Sequence, residues 1–283
     1  MPRELSDLYD ELGLTSGYIP CESVPQVQGP LGVVANDLLI DLLDIAVRFA
    51  RPEISSFRVG ATALGASGSI YFGANQEFPG SQLVQTVHAE QAATINAYEH
   101  GERAISTLAV SAAPCGYCRQ FLKELSFADE LRVLINNPQG TSEISLEELL
   151  PHSFGPADLG FEQGFFGNAE NEIDQVVENE LSELALNAAR RSYAPYTQAF
   201  SGVAIETESR IYAGPYIENA AFNPSVSPLQ TALVNLALAG DAIESVGKIL
   251  LVQRAESPID HSANCRAFAK SLGAEFLLEI LCI

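Results

Sequence analysis

Basic residues are scarce in this chain of 283 residues. Fifteen Lys and Arg stand against 36 Asp and Glu, for a formal net charge of −21. That balance argues against an extended nucleic-acid track, because affinity for polyphosphate comes mostly from Lys and Arg neutralising phosphates. A small neutral substrate is compatible with it. Long apolar runs are also missing. The longest, Leu38–Ala50, is broken by Asp41, Asp44 and Arg48. None reaches the roughly 20 residues of a spanning helix, so no membrane association is expected. The first residues hold no basic stretch followed by an apolar one, so no secretory signal is expected. Cysteine supplies no paired framework either: Cys21, Cys115, Cys118, Cys265 and Cys282 are odd in number and scattered. A soluble protein of a reducing, cytoplasmic compartment is the expectation. The length suits two domains of average size.

Periodicity gives a coarse order of elements. Residues 4–14 predict a short helix, and Cys21–Pro30, with its prolines and glycine, a loop. Leu31–Phe49 has apolar residues at helical spacing and predicts a core helix, ended by Arg51-Pro52. Phe57–Gly65 and Ser69–Gly73 predict two strands joined by a Gly/Ser turn. His88–His100 predicts a helix closed by Gly101. Ile105–Ala113 reads as a buried strand. Cys115–Leu125 opens another helix, and Leu131–Ile135 is the next strand. The pattern is an α/β layered domain of roughly 100 residues around a mixed sheet. From Val133 to Ala189 there are eleven acids and no Lys or Arg, as in a solvated linker. Leu149–Pro156 is its one defined apolar knot.

The second half repeats the first. Ile70-Tyr-Phe-Gly73 recurs as Ile211-Tyr-Ala-Gly214, and Glu77 falls on Glu218. Cys118-Arg-Gln-Phe-Leu-Lys-Glu-Leu125 matches Cys265-Arg-Ala-Phe-Ala-Lys-Ser-Leu272 at five of eight positions. The chemistry is not repeated. Pro228-Leu-Gln230 is aligned opposite His88-Ala-Glu90, and Ser262 opposite Cys115. Cys265 alone remains, and a lone cysteine is read as structural.

The sharpest motif is His88-Ala-Glu90 followed by Pro114-Cys115-Gly-Tyr-Cys118. Cysteines at i and i+3 of a helix start share one side of the first turn. The unpaired amides there stabilise thiolates. A redox pair is one alternative for C-x-x-C; a four-cysteine zinc site within one subunit is excluded, because no second C-x-x-C exists. With His88, two thiolates and an imidazole give Zn²⁺ three protein ligands and an open fourth position, the pattern of a catalytic site. Glu90 is too close in sequence to His88 to be a natural fourth ligand. It is better placed as a proton carrier. A structural zinc with Glu90 in the fourth position is a non-enzymatic alternative.

His-x-Glu with Pro-Cys-x-x-Cys is the signature generally given for zinc deaminases. With Phe57-Arg-Val-Gly-Ala, Gly73-Ala-Asn75-Gln-Glu77-Phe and Glu218-Asn-Ala-Ala-Phe-Asn-Pro224, the chain resembles the cytidine/deoxycytidylate deaminase family in its long, two-domain homodimeric form. The resemblance implies a three-layer α-β-α sandwich around a mixed five-stranded sheet, duplicated within the chain. It implies an N-terminal helical segment (1–50), a catalytic domain (51–155), an acidic linker (156–185) and a degenerate domain without zinc ligands (186–283). It implies hydrolytic deamination of cytidine and 2′-deoxycytidine by zinc-bound hydroxide in pyrimidine salvage. It implies one zinc per chain held by His88, Cys115 and Cys118, with Glu90 as proton shuttle. It implies that Asn75 and Glu77 bind the ribose 3′-hydroxyl, that Phe57 packs on the pyrimidine, and that Phe154, Ala221 and Phe222 close the pocket. In the resemblance Ala221 and Phe222 would come from the partner subunit of a homodimer with shared active sites. Ala113 stands where relatives often carry a hydroxyl, which implies one hydrogen bond fewer to the base amine. A deaminase acting on a related base or on nucleic acid carries the same two motifs, and a basic groove would mark the latter.

Overall fold

A computed structural model of the chain describes residues 9–10, 17–28, 35–167, 170–271 and 277–283. The expected helix over 4–14 lies almost wholly outside them, as do 31–34 of the expected core helix. The chain forms two compact units, Met1–Glu77 with Val87–Gly167, and Phe78–Thr86 with Asn168–Ile283.

The first unit runs β1 (Tyr18–Ile19), α1 (Val24–Gln28), α2 (Ala35–Asp41), α3 (Leu43–Ala46), β2 (Gly60–Gly65), β3 (Ile70–Ala74), α4 (Ala89–Glu99), β4 (Ile105–Val110), α5 (Gly116–Leu122), β5 (Arg132–Asn137), β6 (Gly140–Ser145) and α6 (Leu146–Leu149). Its sheet order is β1-β3-β2-β4-β5-β6. β4 and β5 are parallel, and the other neighbours are antiparallel. Alternate residues of a strand face opposite sides, and both sides are covered. Ile70, Phe72, Ala109 and Leu134 pack against Leu38, Leu39, Leu42 and Ile45 of the α2–α3 layer. On the other side α4 lies directly on β3 at Gly73. A Cβ there would stand 2.1 Å from the Ala93 amide nitrogen and 2.3 Å from the Ala89 carbonyl oxygen. α4 is buried from Ala89 to Ala97.

The second unit runs α7 (Glu180–Arg190), β7 (Ser201–Thr207), β8 (Ile211–Pro215), α8 (Pro228–Leu238), β9 (Val246–Gln253), α9 (Ser262–Ser271) and β10 (Leu277–Cys282). Its sheet, β10-β9-β7-β8, reproduces the β5-β4-β2-β3 portion of the first, including the single parallel pair. α7 covers one face through Leu181, Ala185 and Leu186. α8 and α9 cover the other through Leu229, Ala232, Leu233, Cys265 and Phe268. Gly214 repeats the role of Gly73: a Cβ there would stand 2.2 Å from the Ala232 amide nitrogen. The Ile-Tyr-x-Gly echo in the sequence is therefore a close-packing requirement of both units.

The α/β, three-layer expectation is met, but among the described residues the sheets have six and four strands where five were expected. The first gains β6, whose Gly-Thr-Ser-Glu-Ile-Ser sequence is largely exposed and lacks the alternation that marks a half-buried strand. Its other addition is the two-residue β1. The loop expected over Cys21–Pro30 contains α1. Pro25 falls in its first turn, where a missing amide costs no hydrogen bond. The single helix expected to Phe49 is divided at Leu42, and its last residues, Val47–Phe49, tighten into a 3₁₀ turn.

The acidic stretch after Leu150 is held on both units separately. In the first, Leu125 and Phe165 bridge, and fully buried Phe165 packs against Tyr98 with ring centroids 4.5 Å apart. In the second, Asn171 donates to the carbonyls of Arg190 (3.0 Å) and Ser192 (2.8 Å), satisfying the C-terminal end of α7. Among the described residues no helix is long and apolar enough to cross a membrane.

Candidate metal centre and active site

Two helix N-termini create the centre. His88 is the N-cap of α4, and Gln91, three residues on, accepts a hydrogen bond from its amide (3.1 Å). Cys115 is the N-cap of α5, which places Cys118 in the first turn. His88 Nδ1 lies 3.4 Å from Cys115 Sγ and 3.2 Å from Cys118 Sγ, and the two sulfurs are 3.7 Å apart. Tetrahedral zinc with Zn–S near 2.3 Å and Zn–N near 2.0 Å requires S···S of about 3.8 Å and N···S of about 3.5 Å. The donors thus fit a shared zinc ion. Among the described residues they form a metal-capable group, with Cys118 buried and Cys115 at the surface.

The two thiols differ in acidity. The hydrogen bond between Cys115 and Cys118, the amides of Cys118 and Tyr117 and the charge of His88 outweigh burial, bringing the Cys115 thiol down to about 4. Cys118 is pushed strongly upward by that same hydrogen bond, by burial and by Glu90. Both thiolates, with His88, would hold a divalent cation, whose charge would favour their deprotonated forms. Glu90, in the first turn of α4, is only 4% exposed. Burial raises its carboxyl above the ordinary range, partly opposed by a backbone hydrogen bond and the charge of His88. A carboxyl that holds its proton more readily beside the metal donors suits proton transfer.

The expected sugar-binding pair adjoins this centre along the chain. Gln76 and Val87 exchange backbone hydrogen bonds (2.8 and 3.0 Å), so Glu77 and His88 flank one bridge. Glu77 is buried and accepts from the Ile54 amide (2.9 Å), the Ser55 amide (2.8 Å), the Ser55 hydroxyl (2.6 Å) and Asn75 Nδ2 (3.1 Å). Burial opposes its ionisation, but these donors outweigh it and its pKa is lowered. Asn75 donates also to the Phe57 carbonyl (2.9 Å) and accepts from the Val59 amide (2.9 Å). Both side chains thus pin the loop that presents Phe57, which is 61% exposed. Ser55 is the residue that sequence reasoning missed. No spacing pattern marks it, because half its role is carried by its amide.

α5 also gathers the apolar knot. Arg119 donates to the carbonyls of Pro114 and Leu149 (both 2.8 Å), and Gln120 to that of Phe154 (2.8 Å), leaving the Phe154 ring 44% exposed. Ala221 and Phe222 belong to the second unit, on the exposed turn after Glu218, with Phe222 at φ +61°. The metal donors belong to the first unit.

The second unit repeats the scaffold with one register correction. Gln76 bridges Val87 and Ile217 bridges Val226. Ser227 is therefore the counterpart of His88, Leu229 of Glu90 and Gln230 of Gln91. Ser227 caps α8, and Gln230 accepts from its amide (2.9 Å), as Gln91 does from His88. The alignment of Pro228-Leu-Gln230 with His88-Ala-Glu90 was one residue out, because the preceding loop differs in length. The conclusion that ligands are missing is unchanged. Cys265 is 1% exposed and burial pushes its thiol up to about 12.

Two family models, each for the cytidine and deoxycytidylate deaminase zinc-binding region, match residues 38–133 and 146–266. The chain is 43% identical over 251 residues to the cytidine deaminase of Vibrio vulnificus strain YJ016, covering 88% of this chain and 84% of that protein. With the cytidine deaminase of Vibrio cholerae serotype O1 strain M66-2 it shares 40% identity over 285 residues, 99% of this chain and 96% of the relative. A crystal structure of cytidine deaminase from Burkholderia pseudomallei is 30% identical over 43% of this chain and 100% of that one, with a TM-score of 0.39. A chain that keeps one set of zinc donors, repeats the fold without them and aligns nearly end to end with such relatives belongs to the cytidine and deoxycytidylate deaminase family.

Proposed function

We propose that this protein hydrolytically deaminates cytidine and 2′-deoxycytidine to the uridine forms, releasing ammonia, as a cytoplasmic enzyme of pyrimidine salvage. The observation that carries the reading is the convergence of His88, Cys115 and Cys118 at zinc-coordinating spacing beside buried Glu90. When bound, zinc supplies Lewis acidity sufficient to make water a nucleophile near neutral pH. Glu90 takes the proton of the water that attacks C4 of the cytosine and delivers it to N3. It then carries the proton of the new C4 hydroxyl to the exocyclic amine, the C4–N bond breaks as the C4 carbonyl forms, and ammonia leaves.

Asn75 holds the ribose, and Glu77 fixes Asn75 by accepting from its Nδ2 (3.1 Å). Glu77 already accepts four hydrogen bonds, which fills the lone-pair sites of a carboxylate. The second lone pair of Asn75 Oδ1 is the acceptor left for the 3′-hydroxyl. Phe57 packs on the base and Phe154 closes the pocket. Ala221 and Phe222 complete it from the partner subunit of a homodimer. In this reading 51–155 is the catalytic domain, 186–283 the degenerate one, with 1–50 and 156–185 flanking and joining them. The charge of −21 favours a free nucleoside over a phosphorylated or polymeric substrate.

The test is ammonia release by the purified protein. Cytidine and deoxycytidine are expected to turn over, with loss after chelation and recovery on adding zinc. Cytidine monophosphate and single-stranded DNA are expected to remain unchanged. No release from cytidine by folded, zinc-loaded protein would overturn the assignment.

A further inference from the structure

We infer that the degenerate site of the second unit is filled by the chain's own loop, and that Gln85, Gln230 and Asn264 are positioning residues for His88. The inference extends the reading of His88 as a zinc ligand. Residues 78–86 connect Glu77 to Val87-His88, yet they fold as part of the second unit. Phe78 lies in its core, edge-on to Phe268 with centroids 5.5 Å apart. At the other end, Gln85 and Asn264 pair through both side-chain amides. Gln230 Nε2 donates to the carbonyls of Val84 (3.3 Å) and Gln85 (3.2 Å).

The place of this docking is informative. Asn264 also donates to Ser227 Oγ (3.4 Å). Ser227 is the counterpart of His88, and Asn264 precedes Cys265, the counterpart of Cys118. The N-termini of α8 and α9 therefore converge as those of α4 and α5 do, and Gln85 sits among them in place of the metal donors. Gln230 has the capping role of Gln91, with its amide group turned to the loop. A buried polar cleft that had lost its ligands would leave donors and acceptors unpaired, at a cost for each. The loop satisfies them.

The loop has nine residues, against seven in the corresponding turn, 219–225. Only three residue steps separate Gln85 from His88. Fixing Gln85 restricts where the α4 N-cap can go, and the Gln76–Val87 bridge fixes the other side. The anchoring of Gln85 thus limits His88 through the three peptide links between them.

The test compares zinc release to a chelator and hydrogen exchange of the 78–87 amides in the full-length protein. The variants are Gln85→Ala, Asn264→Ala and the double variant. Each single variant is expected to release zinc about tenfold faster, the scale of losing a partner that orients a ligand. The double should be no faster than the singles, because one interaction is lost in all three. The loop amides should exchange faster, and kcat for cytidine should fall more than KM rises. Leu186→Ala, which weakens the opposite face of the same sheet, should lower Tm and leave zinc release unchanged. Unchanged loop exchange in Gln85→Ala and Asn264→Ala would overturn the docking. Unchanged zinc release, or equal acceleration by Leu186→Ala, would overturn the positioning role. If the wild type binds no zinc, the metal reading and the positioning role both fail, while loop exchange still decides the docking.

Discussion

Removing the Ser55 hydroxyl tests the account of how the Phe57 loop is held. Ser55 Oγ donates to Glu77 at 2.6 Å and accepts from the Phe57 amide at 3.0 Å. Glu77 is 8% exposed, so solvent screens the first of these little. A hydrogen bond to a charged group contributes about 1.5–3 kcal/mol, against about 0.5–1.5 for a neutral pair. Ser55→Ala should therefore lower stability by about 2 kcal/mol at pH 7, roughly a thirtyfold change in the folding equilibrium. The loss should shrink in acid, as pH falls through the lowered pKa of Glu77 and protonation removes the charge. Urea denaturation of both proteins across an acid pH series measures it. Because the hydroxyl also positions Phe57, KM for cytidine should rise. A loss below about 0.5 kcal/mol at pH 7, or a loss that grew on acidification, would refute the reasoning. Thr197 makes the same contact with Glu218 (2.7 Å) in the second unit, so Thr197→Ala should destabilise without changing KM.

Acid should weaken the fold through Glu77 and Glu102, whose pKa values are both lowered by hydrogen bonds that outweigh burial. Their contribution is complete above the unfolded glutamate value of about 4.3 and is lost as pH falls through the folded values. Urea midpoints should therefore fall below pH 4, and a midpoint that rose on acidification would contradict the assignment. Gly73→Ala and Gly214→Ala should each cost about 3 kcal/mol or prevent folding, since the added Cβ meets helix backbone. Calorimetry of expressed protein checks this. Cys118→Ser should lose zinc and activity by metal analysis and ammonia assay, whereas Cys265→Ser should keep both.

The metal centre was legible because its geometry is local. Residues at the starts of two helices, joined by a buried strand, leave few places for the donors to go. The glycine echo was legible for a similar reason, since a helix resting on Gly73 or Gly214 admits no side chain. Other features depend on partners that spacing does not encode. Ser55 acts half through its backbone, β6 carries no apolar alternation, and α1 accommodates Pro25 at the position where proline is harmless. The repeat was found, but its register at Ser227 was set by a loop two residues shorter than its counterpart, and a constant-offset alignment passes over that difference. Gln85 gave no signal in sequence, because its partners Gln230 and Asn264 lie 145 and 179 residues away.

The central claim is that Glu90 moves protons and does not hold the metal. Glu90→Gln tests it most directly, because the amide preserves shape and removes the proton carrier. Zinc per chain and cytidine turnover are measured on the same preparation, beside the wild type. The account predicts about one zinc per chain in both proteins and turnover reduced by about a thousandfold or more in the variant. Loss of zinc from Glu90→Gln, or turnover close to that of the wild type with zinc retained, would contradict it.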